Sequence, residues 1–521
     1  MTTRPEAEDE ALVDAALLEA GTVEPDAATG AVPVEGAAPP PSMEKAAKSG
    51  MAWTSGSRVL LLVLQFGSGI ALARILTPDQ FGLIAIVTAF TGFALLFTDL
   101  GLGGAIIHAD RVSEELLATA FWLNALTGVA LTAVMSALAY PIAAFYGYPE
   151  LTTLLVLGSF TFTLSAGTVG LALLERAMRF KLVVGVEVLA AIVNFGVAIG
   201  CALSGLGAKS MVVGILAQTA ATTVLFWWAS RWRPRSFVSR VALKELWAFS
   251  SHLFGFNVVN YWSRNLDDLL IGKFSDPASL ALYNRAYQLM LLPVQQVTVS
   301  VGRVLFPSLA RLRHDRDRLQ AAYLRVLTML VGVIAPVSIG LSAASTAFIA
   351  VAYGPQWTGS ATILALLAAS GPAQVVSGTG GALYRAVGRT QSMFRRSLVN
   401  TGITVVAIVI GLQWGVTGVA VALLVKYYVL APMTLRGAWK DLDLTVPRVL
   451  WDLRGLLAGT GLMAAAMLLA GWLVRSEPKL VVLLVQCAVG TTVYVGSVAL
   501  LARGFVAEVM GLLRRGTRVS T

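Results

Sequence analysis

The sequence predicts an all-α membrane protein, and three observations lead to that prediction: the composition, the length of the apolar segments and the placement of the basic residues. Of the 521 residues, 56% are hydrophobic and only 13% are charged, which is common in polytopic membrane proteins and unusual in soluble ones. Apolar segments of roughly 20 or more residues recur along the chain, and a helix of that length crosses a hydrocarbon layer of about 30 Å. The composition therefore argues against a soluble protein.

We count fourteen apolar segments between residues 51 and 503 and predict that each is a transmembrane helix. A water-soluble helix of such length would carry a polar face, which the first two segments lack. The predicted helices cover residues 51–76, 82–107, 116–145, 151–174, 182–204, 209–230, 246–272, 278–307, 321–352, 358–383, 396–414, 416–437, 453–474 and 480–503.

The basic residues alternate between the connections that join these helices. Most Lys and Arg residues fall in the even-numbered connections and near the chain ends, whereas the odd-numbered connections hold only Arg74, Lys209, Lys273, Arg475 and Lys479. Basic loops are retained on the cytoplasmic side of a membrane. We therefore predict that both termini are cytoplasmic and that the odd-numbered connections face outward. The net charge of +10 then reflects orientation in the membrane rather than nucleic-acid binding.

The first 42 residues differ from the rest of the chain. They are rich in Ala, Pro, Glu and Asp and poor in large apolar side chains, so we predict a disordered acidic tail over residues 1–42. Because no apolar run precedes residue 51, we expect no N-terminal signal peptide. The two cysteines, Cys201 and Cys487, fall inside apolar segments, and we assign them neither a disulfide nor a metal.

Six of the predicted helices occur twice in the same order. The matching positions, about 199 to 210 residues apart, include Arg74 and Lys273, Pro78 and Pro277, Tyr146-Gly147 and Tyr353-Gly354, and Gly205 and Gly415. We predict a first repeat over residues 43–235, a second repeat over 236–440, and two further helices with a C-terminal tail over 441–521. Parallel repeats of this kind are a transporter architecture, with the substrate site between the halves.

Charged and amide side chains lie inside several predicted helices, where a charge is costly unless it is paired or faces water. One interpretation is that they pair with each other: Arg58 with Asp99, Arg264 with Asp267, and Arg285 with Asp268. The other is that the cations and amides line a hydrated cavity and bind an anionic ligand such as a phosphate, which suits arginine. The candidate ligand-binding residues are Arg58, Arg264, Arg285, Lys426, Asn257, Asn260 and Gln288. Alternatively, the carboxylates Asp99, Asp267 and Asp268 bind a coupling proton or a sodium ion instead of pairing with the cations.

Catalytic signatures are missing from the sequence. It holds no phosphate-binding loop that ends in Lys-Ser/Thr, no Gly-x-Ser-x-Gly motif and no metal-ligand spacing. No connection is long enough to form a catalytic domain. We therefore expect no enzyme activity, no metal and no cofactor apart from a coupling ion.

The stretch from Leu76 to Leu151, which includes LTPDQFGLIAIVTAF, FTDLGLGGAIIHADRVSEELLATAFW and PIAAFYGYPEL, resembles the polysaccharide transporter family. Its closest subgroup is the Wzx-like flippases of the multidrug/oligosaccharidyl-lipid/polysaccharide exporter superfamily. The resemblance implies a V-shaped pair of six-helix bundles plus two extra C-terminal helices, a central cavity and alternating access. It also implies a location in the bacterial cytoplasmic membrane. The implied cargo is an undecaprenyl-diphosphate-linked oligosaccharide for exopolysaccharide or lipopolysaccharide biosynthesis, with membrane lipid, a polymerase and other assembly proteins as partners.

In related flippases, arginines in the first, second and eighth helices hold the diphosphate. Arg58 and Arg285 fit that role, whereas the second helix offers Asp99 and no arginine. Two other functions stay open at this stage. An ion-coupled exporter of cationic drugs should have an excess of cavity carboxylates, and a polytopic polysaccharide-biosynthesis enzyme such as a polymerase should have a large external loop. The sequence shows neither an excess of carboxylates in the predicted helices nor a large external loop. A membrane scaffold is a further alternative of the second kind.

Overall fold

Every regular element in the described part of the chain is a helix. The computed structural model describes residues 60–99, 104, 106–107, 112–165, 167–239, 261–262, 265–312, 315–386, 390–507 and 511. The all-α prediction is confirmed for these residues.

Sixteen helices are labelled here in chain order. In the first repeat, α1 is Leu60–Ile75, α2 Pro78–Asp99, α3 Glu114–Tyr146, α4 Glu150–Leu164, α5 Thr168–Arg176, α6 Phe180–Leu203 and α7 Lys209–Ser230. In the second repeat, α8 is 265–274, α9 Pro277–Arg311, α10 Arg316–Ala352, α11 Gly359–Ala369, α12 Gly371–Ala386, α13 Thr390–Leu412 and α14 Gly415–Asp441. The chain continues with α15, Val446–Leu473, and α16, Lys479–Leu501.

Two predicted helices, 151–174 and 358–383, are bent pairs rather than continuous helices. The pair α4 and α5 bends by 43°, and the pair α11 and α12 by 47°. The breaks contain Ser165 and Ser370, 205 residues apart and thus at similar places in the two repeats. Each serine hydroxyl donates to a carbonyl three or four residues earlier, Thr161 or Leu367, a bond that often bends helices. Each repeat therefore contains a bent helix pair at a similar position.

The number of membrane crossings stays a prediction. In the described residues, eight helices are long and apolar enough to cross a membrane, or ten if each bent pair is one span. Two shorter apolar helices, Leu60–Ile75 and Gly415–Leu430, fall below that length. The chain is thus a multi-pass membrane protein. The predicted division of the chain near residue 235 also stays a prediction.

An N-terminal cap stabilises the start of α9 after its short connection to α8. Asp276 accepts the backbone N–H of Ser279 at 2.8 Å and the Ser279 hydroxyl at 2.8 Å. Partial burial raises the pKa of Asp276, but these hydrogen bonds to the carboxylate outweigh burial and hold the pKa below its usual range. The cap thus satisfies a backbone N–H in the first turn of α9 that has no partner within the helix.

The largest buried core joins both repeats at the ends that carry the odd-numbered connections. It includes Leu76 and Phe81 from the first repeat and Leu280, Tyr283 and Trp357 from the second. Helix α2 packs along α9 across the boundary between the repeats. The C-terminal helices α15 and α16 pack against α10, and so belong with the second repeat. This arrangement places the α8–α9 hairpin beside α2, where the predicted binding residues concentrate.

Candidate functional site

Two adjacent carboxylates, one buried and one half-buried, mark the centre of the candidate site. Asp267 is 8% exposed, and its Oδ2 accepts a hydrogen bond from the Tyr283 hydroxyl at 3.0 Å. The amide nitrogen of Asn284 lies 3.0 Å from both oxygens of Asp268. In both pairs the donor follows the acid by 16 residues, across the short connection between α8 and α9. Neutral donors on α9 thus satisfy carboxylates on α8, which a buried acid requires.

A chain of side-chain hydrogen bonds continues along α9 toward its polar face. The amide of Gln288 donates to the amide oxygen of Asn284 at 2.8 Å, and Arg285 Nη1 lies 3.5 Å from Gln288 Oε1. Gln288 is exposed, whereas Asn284 and Arg285 are half-buried. The network therefore links a half-buried acid, Asp268, to the exposed amide of Gln288 along one face of α9.

Arg285 lies at the boundary between the repeats. Its guanidinium is 4.4 Å from the ring centre of Phe81 in α2 and 6.0 Å from that of Tyr353, which follows α10. It also lies close to the backbone of α1, because a Cβ built on Gly69 would come within 3.4 Å of Arg285 Nη1. The pairing interpretation joined Arg285 with Asp268, but in the structure these two side chains have different neighbours. Besides the two rings, the guanidinium has the Tyr353 side chain as a hydrogen-bond partner and Gln288 Oε1 at 3.5 Å.

Lys426 of α14 lies beside the carboxylates rather than in open solvent. It is 6% exposed, close enough to Asp267 for their charges to interact, and its Nζ is 4.2 Å from the ring centre of Tyr427. A buried ammonium near a buried carboxylate offsets part of the desolvation cost of both groups. Lys426 therefore lies close enough to Asp267 to interact with it, and its predicted role in ligand binding stays a prediction.

Several predicted site residues cannot be placed. Arg58, Asn257, Asn260 and Arg264 lie outside the described residues, and the side chain of Asp99 does as well. Their roles stay predictions. Of the residues predicted from the sequence, the structure brings together Asp267, Asp268, Gln288, Arg285 and Lys426, all from the second repeat.

Three site residues escaped the sequence interpretation: Tyr283 as a donor to Asp267, and Phe81 and Tyr353 as the rings beside Arg285. A partial signal existed for Tyr283, because residues at similar distances before and after a short connection between two helices lie near each other. No such signal exists for Phe81, since its contact with Arg285 depends on how the two repeats pack.

An apolar cavity of about 430 Å³ lies elsewhere, between α10, α12, α14 and α15. Its lining includes Ile339, Val376, Trp439 and Leu453. It is therefore distinct from the polar cavity predicted between the repeats. Among the described residues, no three His, Cys, Asp or Glu side chains cluster as metal ligands.

A twice-repeated set of membrane helices, with charged groups where the repeats meet, defines a multi-pass protein of the transporter fold class. The pattern of the polysaccharide biosynthesis protein family matches residues 71–362, more than half of the chain. The chain belongs to that family.

Named relatives agree with this membership. The teichuronic acid biosynthesis protein TuaB of Bacillus subtilis (strain 168) is 30% identical over 68% of this chain and 74% of its own length. The lipopolysaccharide biosynthesis protein WzxC of Escherichia coli (strain K12) is 26% identical over 78% of this chain and 85% of its own. The succinoglycan biosynthesis transport protein ExoT of Rhizobium meliloti (strain 1021) is 26% identical over 69% of this chain and 73% of its own length. The resemblance read from the sequence is confirmed.

Solved structures share the fold. The lipid II flippase MurJ in its inward closed conformation superposes with a TM-score of 0.68 at 15% identity, over 87% of this chain and 99% of MurJ. An inward-facing multidrug resistance transporter of the MATE family superposes with a TM-score of 0.56 at 14% identity, over 74% of this chain and 94% of the transporter. The predicted transporter architecture is confirmed at the level of the fold.

Proposed function

We propose that this protein is a flippase that moves a lipid-linked oligosaccharide across the membrane during polysaccharide biosynthesis. Family membership and relatives named for lipopolysaccharide biosynthesis and succinoglycan transport support the proposal. The observation in the structure that carries it is Arg285, a cation placed where the two repeats meet, with polar Asn284 and Gln288 beside it.

The cargo that this chemistry suits is a diphosphate-linked glycan on an undecaprenyl chain. A guanidinium binds two phosphate oxygens at once, and the adjacent amides can bind sugar hydroxyls. The sugar head is too polar to enter hydrocarbon, so it needs a hydrated route through the protein. The prenyl chain is apolar and can stay in the bilayer. Alternating exposure of Arg285 to the two sides would carry the headgroup across.

The finer parts of the proposal concern orientation and energy. The placement of the basic residues supports cytoplasmic termini in a bacterial inner membrane and outward transport. Asp267 and Asp268 are the candidate groups for a coupling proton or sodium ion. A polymerase and other assembly proteins would receive the exported units.

The test is deletion of the gene followed by analysis of the undecaprenyl-linked glycans that remain inside the cell. We expect one completed repeat unit to accumulate and the exported polymer to disappear. Arg285→Ala should fail to restore export, because a methyl group cannot bind phosphate, and Arg285→Lys should restore part of it.

Arg179→Ala, which removes an exposed arginine at the start of α6, is the matched control and should restore export fully. Protein levels in the membrane are measured for every variant. Full export by Arg285→Ala would remove this residue from the mechanism. Normal glycan levels in the deletion strain, together with sensitivity to cationic drugs, would favour drug export instead.

A further inference from the structure

Two exposed cations, Arg74 and Lys273, occupy equivalent positions in the two repeats. Each lies in the last turn of the first helix of its repeat as described here, α1 or α8, and the two are 199 residues apart. A proline begins the next helix in both cases, Pro78 of α2 and Pro277 of α9. The two side chains therefore leave their repeats at the same end, the end of the odd-numbered connections.

Each cation donates to the C-terminal end of a helix in the opposite repeat. Arg74 Nε donates to the carbonyl of Ala352 at 3.1 Å, and its Nη2 donates to the carbonyl of Val351. Lys273 Nζ donates to the carbonyl of Phe145 and lies 4.3 Å from the centre of the Phe145 ring. Both bonds thus cross the boundary between the repeats.

The acceptors are equivalent as well. Ala352 precedes Tyr353-Gly354 at the end of α10, and Phe145 precedes Tyr146-Gly147 at the end of α3. Both glycines have a positive φ, 83° at Gly147 and 95° at Gly354, which ends each helix and leaves its last carbonyls free for other donors. The free carbonyls of a helix C-terminus carry partial negative charge, so a cation is the donor they favour.

The two contacts differ in the groups beside them. Next to Arg74, the indole of Trp357 donates to the carbonyl of Ala73 at 2.8 Å, and the amide of Gln356 donates to the same carbonyl. The equivalent positions of the first repeat hold Pro149 and Glu150, which cannot reproduce these bonds. Beside Lys273, the Tyr146 hydroxyl lies 3.4 Å from the carbonyl of Leu269. Arg74 therefore acts within a larger group of bonds than Lys273 does.

We propose that Arg74 and Lys273 are a matched pair of gate residues that hold the repeats together at the odd-numbered connections. Opening of this side requires both cations to leave their carbonyls, and closing restores both bonds. Because the cations are exposed, water can satisfy them and the carbonyls after release, so the gate is reversible. This inference concerns closure of the protein and holds whatever cargo it moves.

The gate is tested by measuring the distance between the repeats. Spin labels are attached to Leu206→Cys and Trp414→Cys, exposed positions in equivalent connections, after Cys201→Ser and Cys487→Ser. Double electron–electron resonance on the full chain in lipid nanodiscs then gives the populations of close and distant labels. This readout needs no substrate, so its failure is separate from a failure of the flippase proposal.

We expect close labels to dominate with both cations present. Arg74→Gln or Lys273→Gln should raise the ratio of distant to close labels by roughly three- to tenfold, since each removes a charge-assisted bond, and the double substitution should raise it further. Arg74→Lys keeps the charge and a donor and should give a smaller change. Lys209→Gln removes an exposed cation from the same side and should leave the distances unchanged.

A double variant that inserts normally and keeps the original distance distribution would overturn the proposal. So would an equal response to Lys209→Gln, because the effect would then come from net charge. If a glutamine variant fails to accumulate, Arg74→Lys with Lys273→Arg decides the question, since both retain a donor and should stay mostly closed.

Discussion

At the scale of single residues, the site depends on how buried acids are satisfied. Asp267 and Asp268 carry adjacent carboxylates in α8, part of a predicted membrane helix, and Tyr283 and Asn284 donate hydrogen bonds to them. Lys426 supplies the nearby positive charge. The sequence revealed the acids and the lysine, because such residues are rare in apolar segments. Their partners depend on the turn at Asp276, whose exact register no apolar pattern fixes.

Replacing Tyr283 by Phe tests the bond to Asp267. The variant keeps the ring but leaves a buried carboxylate oxygen without its donor, so we expect a loss of about 1–3 kcal/mol of stability. The measurement is the thermal unfolding midpoint of the purified protein in detergent. Tyr140→Phe is the matched control, because Tyr140 is 73% exposed, and it should leave the midpoint unchanged. Equal midpoints for both variants would show that the hydroxyl of Tyr283 contributes nothing to stability.

At the scale of helices, the pair α2 and α9 joins the two repeats through a very close approach. A Cβ built on Gly82 would overlap the backbone carbonyl of Pro277. Glycine is thus required at this crossing because the two backbones touch, and not because of its backbone angles. The close approach also explains why the largest core extends across both repeats.

Gly82→Ala should force α2 and α9 apart and destabilise the closed arrangement by about 1–3 kcal/mol, the usual cost of overpacking. Thermal unfolding and the spin-label distances described above both report the change. Gly67→Ala in α1 is the control, because a Cβ there meets nothing within 4 Å and alanine favours a helix. Identical behaviour of the two variants would contradict the close packing of α2 on α9.

The helices were largely predictable from the sequence, but their breaks were not. Apolar length predicted where helices lie, and the structure agrees for α3, α6 and α10 to within several residues. The bends at Ser165 and Ser370 were missed, because serine inside an apolar run is compatible with a straight helix. In hindsight, the glycines Gly167 and Gly371 close to each serine are the available signal.

At the scale of the whole molecule, the internal repeat is the feature that organises the protein. The sequence predicted it from scattered matches such as Tyr146-Gly147 with Tyr353-Gly354, and the structure places these pairs at equivalent helix ends. Contacts between the repeats, including those of Arg74 and Lys273, could not be predicted, since they depend on how the two repeats pack against each other. Together with the family membership, the repeat supports alternating access to a headgroup site.

The most direct test of the central claim is transport by the purified full chain. Liposomes are prepared with an undecaprenyl-diphosphate oligosaccharide that carries a fluorescent dye on the glycan, and a membrane-impermeant reductant then quenches the dye on the outer leaflet. Vesicles with the protein should lose fluorescence from the inner leaflet as well, and Arg285→Ala vesicles should lose it far more slowly. A protected fraction identical to that of protein-free vesicles would contradict the assignment as a flippase for lipid-linked oligosaccharides.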